Sequence, residues 1–208
     1  MADFSFERKI HRQGYRVVAG VDEVGRGCFA GPVVTGAAVF DQKLVNPPVI
    51  NDSKLLSKKQ RIIADKWIRE NAKAYGIGTA SVSQINRFGI KKATEIAFRK
   101  AIKNCGAEIN YLLIDAFYIP YVKGLRRRNQ KAIIHGDTKS ISIAAASIVA
   151  KVYRDKLMTD LSKKPGYRKY KWDKNKGYGT KVHRNIILKY GTTNLHRKQF
   201  VETWLGKA

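Results

Sequence analysis

Cysteine, acidic side chains and long apolar runs are scarce in this chain of 208 residues, and each shortage excludes something. The two cysteines, Cys28 and Cys105, stand far apart and belong to no CxxC or Cys/His cluster, which argues against a structural zinc site. They read as small buried apolar groups in a reducing compartment. The longest apolar stretches, 33–40 and 141–150, fall short of the roughly 20 residues that a membrane helix needs. Residues 1–15 are charged and hold no apolar core of signal-peptide type, so a cytoplasmic location and no membrane association are expected. Acidic residues number 16 against 41 Lys and Arg, a net charge of +25. That excess is too large for an ordinary enzyme of small metabolites. It points to a polyanionic partner, and to nucleic acid rather than a lipid surface, since no amphipathic anchoring helix stands out. With 44% hydrophobic and 27% charged residues the chain is not disordered.

The length suits one domain with a small appendage. Arg16 to Val21 is a β-branched, apolar strand candidate. A glycine-rich stretch from Gly25 to Pro32 turns into a second strand, Val33 to Phe40, and Tyr75 to Val82 makes a third. Between them Ser57 and Gln60 form a capping box for a helix whose apolar face is read as Leu55, Leu56, Ile62, Ile63, Trp67 and Ile68. A second helix is expected over 86–104, with Ile90, Ala93, Ala97 and Ala101 inward. Residues 111–114 and 132–134 are short, wholly apolar strands of the kind covered on both faces. Ser140 to Met158 is a long helix whose small apolar first half can approach a sheet closely. The expected fold is α/β, a mixed five-stranded sheet flanked by helices over 1–160, followed by a basic, helical extension over 161–208.

Among so many bases, the position of each acid carries information. Most, including Glu7, Asp65 and Asp155, read as surface groups, and Asp52 as a loop residue. Four end apolar runs: Asp22 and Glu23 after 17–21, Asp115 after 112–114, and Asp137 just before the apolar helix. Acids at the ends of buried strands are costly to ionise unless paired or metal-bound. If the strands are neighbours their ends converge, where open α/β sheets place ligand sites. Carboxylates gathered there repel by several kcal/mol at intermediate dielectric, a strain that divalent ions relieve. All-oxygen ligands favour Mg²⁺ or Mn²⁺ over zinc. Asp22 and Glu23 would face opposite sides of a regular strand, so a bend supplied by Gly25 and Gly27 is expected. The ordinary alternative is that these acids merely open a turn, end a strand and cap a helix. A carboxylate-held metal pair in basic surroundings fits in-line phosphodiester hydrolysis.

These same residues resemble a known family. Val21-Asp22-Glu23-Val24-Gly25-Arg26-Gly27, followed by Ala30-Gly31-Pro32-Val33-Val34, is similar to the signature of ribonuclease HII. Asp52-Ser53-Lys54, Ile114-Asp115, Gly136-Asp137-Thr138-Lys139-Ser140 with the helix through Arg154-Asp155, Gly177-Tyr178-Gly179 and His196-Arg197 match its further blocks in order. The resemblance runs from about residue 16 to 200. Val24, Cys28 and Gln199 depart from the usual pattern without removing a ligand. Arg26 favours the HII type over the related HIII type, which would carry Lys there.

The resemblance implies a ribonuclease H-like fold. It also implies cleavage of RNA in RNA/DNA hybrids and incision 5′ of single ribonucleotides in duplex DNA, leaving a 3′-hydroxyl and a 5′-phosphate. It implies that Asp22, Glu23, Asp115 and Asp137 are the catalytic, metal-binding carboxylates, with Mn²⁺ or Mg²⁺ as cofactor. It implies that Gly25, Arg26 and Gly27 read the ribose 2′-hydroxyl through backbone groups, and that Tyr178 stacks on the next sugar. Lys54 is expected on a phosphate. Glycines permit such an approach to a sugar because no Cβ intervenes, and the 2′-hydroxyl is what separates RNA from DNA.

From Lys163 to Lys198, bases alternate with Tyr167, Tyr170, Trp172, Tyr178 and Tyr190, the chemistry of a duplex-binding surface. Arg126 to Arg128 form a second basic cluster, and His135 reads as a histidine beside a helix cap. Met158, Phe98 and Trp67 are expected in the core. The partner that the resemblance implies is an RNA/DNA hybrid or ribonucleotide-containing duplex, and a monomer is expected. A non-catalytic nucleic-acid-binding protein, or another nuclease or recombinase of the same fold, is the alternative.

Overall fold

The computed structural model describes residues 2–41, 50, 53 and 55–206; Asp52 and Lys54 lie outside the described residues. Its centre is a five-stranded mixed sheet with strand order β3-β2-β1-β4-β5. The strands are β1 (Val18–Val24), β2 (Val33–Val39), β3 (Ala74–Ala80), β4 (Tyr111–Asp115) and β5 (Gln130–Ile133). β1 pairs antiparallel with β2 and parallel with β4, and β4 pairs parallel with β5.

Seven α-helices occur among the described residues: α1 (Ser5–Arg12), α2 (Lys58–Asn71), α3 (Val82–Asn104), α4 (Ile141–Ser162), α5 (Trp172–Asn175), α6 (Lys181–Tyr190) and α7 (Lys198–Leu205). α3 covers one face of the sheet, where Phe98 and Ala101 pack on Ala19, Val21, Leu112 and Ile114. α4 covers the other, with α2 outside it. The two helices come close because glycine faces them. A Cβ on Gly20 would stand 2.1 Å from the Ser142 carbonyl carbon of α4, and one on Gly78 2.0 Å from the Ala97 oxygen of α3.

The Ser57–Gln60 capping box is present at the start of α2. The apolar face read for that helix is partly wrong: Leu55, Ile62 and Ile63 are exposed, while Ala64, Asp65 and Ile68 face inward. Helix α3 begins at Val82 and not near 86, because Ser81 and Gln84 form a second capping box; the helix is kinked at Gly89 (φ 76°). Glu7 is buried, not a surface acid. Its Oε1 accepts the Ser140 and Ser142 hydroxyls, both at 2.6 Å, and the Ser142 N–H at 2.9 Å, tying α1 to the start of α4.

The basic extension is helical and has its own apolar cluster. Tyr170, Trp172, Ile187 and Val201 pack with Met158 of α4 and with Phe29 and Ala30, which follow the glycine-rich loop. Backbone bonds lace the two segments together: the Gly177 oxygen accepts from Phe29 and Ala30, Gly31 donates to Leu195, and Arg197 donates to Phe29.

Candidate active site

The register of the central strands decides which acids meet. Val21 of β1 lies opposite Ile114 of β4, so the next residues, Asp22 and Asp115, are side by side on parallel strands. Neighbouring strands are about 4.8 Å apart, close enough for the two carboxylates to feel one another. Glu23 follows Asp22 on β1. The strand stays regular through both, with Asp22 paired to Gly36 and Glu23 to Thr35. The bend expected at the acids therefore comes only after Val24, where Gly25 has φ 84°. Asp137 is reached differently. It is buried in the 3-10 turn Gly136–Thr138, and the N–H of Gly136 donates to Oδ1 of Asp115 at 2.8 Å.

The electrostatics are those of uncompensated negative charge. Burial raises the Asp22 carboxyl well above the usual range, and the charges of Glu23 and Asp115 push the same way. A hydrogen bond from Ser147 and the Glu23 N–H, 2.7 Å from Asp22 Oδ1, oppose that rise. Glu23 is also raised, by burial first and by Asp115, against the pull of Arg26 at 3.5 Å. Nothing in the sequence singles Ser147 out from the other small residues of α4. Ser147 also bonds Ser53, Oγ to Oγ, at 2.9 Å, which links Ser53 through Ser147 to Asp22.

The donors fit a hard divalent cation: they are carboxylate oxygens, and the upward shift of Asp22 and Glu23 is what an adjacent cation opposes. Asp115 Oδ1 is held by Gly136, and its other oxygen has no partner among the described residues. As placed, no group of three or more His, Cys, Asp or Glu among the described residues forms a metal-holding set.

Beside the acids the loop Gly25–Gly27 presents exposed Arg26 and Gly27, with the Arg26 guanidinium over the Phe117 ring at 5.2 Å. Tyr178 is 39% exposed, and Lys151 and Arg154 stand 5.7 and 5.8 Å from its ring centre. Burial pushes the Tyr178 hydroxyl up to about 12, so it stays protonated at neutral pH. The loop and Tyr178 belong to one packed unit, because a Cβ on Gly25 would meet the Arg154 side chain at 2.1 Å.

Two arginines that the family pattern includes without a stated role, Arg154 and Arg197, prove to be buried here. Arg154 donates to the carbonyls of Pro32, Ala30 and Lys176 at 3.0, 3.1 and 2.9 Å. Arg197 donates to those of Gly31, Arg26 and Gly25 at 3.0, 2.7 and 2.7 Å. Burial lowers the Arg197 guanidinium to about 10, which still leaves it charged. In a chain with 41 bases, nothing local in the sequence separates these two arginines from surface ones. Arg126 and Arg128 are exposed, as is His135, which adopts φ 56°.

Next to Tyr178 a groove of about 810 Å³ runs between α2, α4 and the extension, lined by Lys58, Arg61, Lys151, Lys156, Lys174 and Lys176, among others. No helix among the described residues is long and apolar enough to cross a membrane.

The model of the family described as Ribonuclease HII matches residues 19–203. A ribonuclease HII of Wolbachia sp. subsp. Brugia malayi is 47% identical over 198 residues, covering 95% of this chain and 92% of that protein. Among solved structures, ribonuclease H2 of Pyrococcus horikoshii OT3 superposes with a TM-score of 0.69 at 22% identity, covering 92% of this chain and 98% of the other. Bst-RNase HIII in complex with Mn²⁺ also gives 0.69, at 22% identity, covering 95% of this chain and 72% of the other. These two likenesses support the ribonuclease H-like fold.

Proposed function

Because the chain belongs to the ribonuclease HII family and is a hydrolase of the ribonuclease H type, we propose that it cuts the RNA strand of RNA/DNA hybrids and incises 5′ of single ribonucleotides in duplex DNA, leaving a 3′-hydroxyl and a 5′-phosphate. The observation that carries this reading is the meeting of Asp22, Glu23 and Asp115 in one electrostatic field, beside a glycine loop whose backbone is open to a sugar. Asp22, Glu23, Asp115 and Asp137 are the residues that would hold Mn²⁺ or Mg²⁺. When bound, such ions supply activation of a water and stabilisation of the leaving oxygen. The Mn²⁺ of the Bst-RNase HIII complex supports a divalent ion of this class.

The protein's own groups do the rest. The Gly136 N–H and Ser147 orient Asp115 and Asp22 respectively. Gly25, Arg26 and Gly27 meet the ribose through the main chain, and Arg26 also holds Glu23 toward its charged form. Tyr178, neutral at working pH, offers its face to the sugar on the 3′ side. The lysine-lined groove carries duplex phosphates past Tyr178, and Lys54 is assigned to a phosphate by its place in the family pattern.

A cleavage assay with three duplexes tests the proposal: all-DNA, the same sequence with one ribonucleotide, and a full RNA/DNA hybrid, each with Mg²⁺ or Mn²⁺. Cutting of the second and third but not the first is expected. Binding without cutting would leave a non-catalytic duplex-binding protein, and cutting of all-DNA duplex would indicate another nuclease of the same fold.

A further inference from the structure

We infer that Arg197 is the positioning residue of the ribose-reading loop, setting the direction of its backbone groups from beneath. The inference rests on the functional reading above. Arg197 lies fully buried, at 0% exposure, and three of its guanidinium donor bonds go to main-chain carbonyls, of Gly25, Arg26 and Gly31. Among the described residues it is paired with no carboxylate. A buried cation left without an acid is expensive unless its nitrogens find acceptors, and here the loop's own oxygens supply one to each of the three.

The consequence follows from peptide geometry. The chain has no cis peptide bond among its described residues, so each carbonyl points opposite to the N–H of the next residue. With the Gly25 and Arg26 oxygens drawn inward to Arg197, the N–H groups of Arg26 and Gly27 point outward. Neither makes a hydrogen bond among the described residues, and both residues are exposed. Two aligned donors then face the place where a 2′-hydroxyl oxygen would sit. Lysine cannot reproduce this arrangement, because one ammonium lacks the planar fork that reaches three carbonyls at once.

Arg197 also comes from the same strip of chain that places Tyr178. The Gly31 and Ala30 backbones bond Leu195 and Gly177, and Arg154 ties Ala30 and Pro32 to Lys176. The extension therefore does more than supply basic side chains: it fixes the loop and the tyrosine relative to each other.

The test pairs Arg197→Lys with a change of one substrate group. Cleavage rates are measured on a duplex with one ribonucleotide and on the same duplex with 2′-fluoro at that sugar. Wild type should prefer the hydroxyl strongly, and Arg197→Lys should shrink that preference tenfold or more. Affinity for all-DNA duplex should change less than threefold. An equal loss on both substrates, with the ratio unchanged, would show a merely structural role and overturn the inference. A second measurement needs no variant: amide hydrogen exchange of the wild-type protein. The Arg26 and Gly27 amides should exchange freely in the unbound protein and become protected by the ribonucleotide duplex but not by all-DNA duplex; equal behaviour with both would also overturn it. If wild type shows no hydroxyl preference at all, the functional reading fails, and that outcome is distinct from either result above.

Discussion

Asp22 and Asp115 stand on adjacent parallel strands, one position beyond the pair Val21 and Ile114, and the charge of Asp115 adds to the cost of ionising the buried Asp22. Burial and these neighbouring charges favour the neutral form of Asp22, and a divalent cation placed between the two carboxylates would favour its charged form.

Asp115→Asn separates those roles. Asparagine keeps an oxygen for the Gly136 N–H but removes one charge, so cleavage should fall by roughly a hundredfold to a thousandfold or more. In metal-free buffer the variant should be at least as stable as wild type, by on the order of 1 kcal/mol, because a repulsion with Asp22 is gone. Thermal melting in EDTA alongside the cleavage assay checks both; retained activity would remove Asp115 from the chemistry.

Tyr178→Ala should cost little stability, since the side chain is already 39% exposed. Preference for a single ribonucleotide over a long hybrid should drop by about tenfold, on the scale of a lost aromatic stack. Competition between the two substrates in one reaction measures this, and an unchanged ratio would discredit the assignment.

The groove beside Tyr178 makes a salt prediction. Lys156 and Lys174 line it and both are exposed, so replacing both with Ala should not disturb folding. If each neutralises one phosphate, the slope of log affinity against log salt should become shallower by up to about 2. A slope identical to wild type would place the duplex elsewhere.

The two buried histidines of the extension predict a pH dependence. His183 Nε2 accepts from the Trp172 indole and lies 3.2 Å from His196 Nε2, while its Nδ1 is 2.9 Å from the Tyr178 main-chain carbonyl oxygen. Burial, and His183 nearby, lower His196 to about 4; burial lowers His183 as well. An unfolded chain takes up these protons near pH 6.5, the folded one only at lower pH, so stability is lost as pH falls from about 6.5 toward 4. For His196 alone that loss is on the order of 3 kcal/mol at most. Fluorescence melting of Trp172 should report it, and His196→Asn should flatten the pH profile.

Much of this arrangement was legible in the sequence, for reasons that differ by residue. The strand cores and the Ser57 capping box follow local rules, and those rules held. The four acids stood out because a basic chain rarely ends apolar runs in Asp or Glu. What escaped were features set by contacts distant in sequence. Glu7 became a buried acceptor only because α4 begins with Ser140 and Ser142. Leu55, Ile62 and Ile63 have helical spacing but stay exposed, because Leu55 precedes α2 and it is Ala64 and Ile68 of α2 that enter the core with α4. Arg154 and Arg197 look like any other base until the loop carbonyls surround them.

The most direct test is an anomalous difference map from crystals of the wild-type protein soaked in Mn²⁺. A peak at about 2.1 Å from carboxylate oxygens of both Asp22 and Asp115, reduced or lost in Asp115→Asn, is the predicted result. An actively cleaving protein whose crystals show manganese only away from these two residues would contradict it.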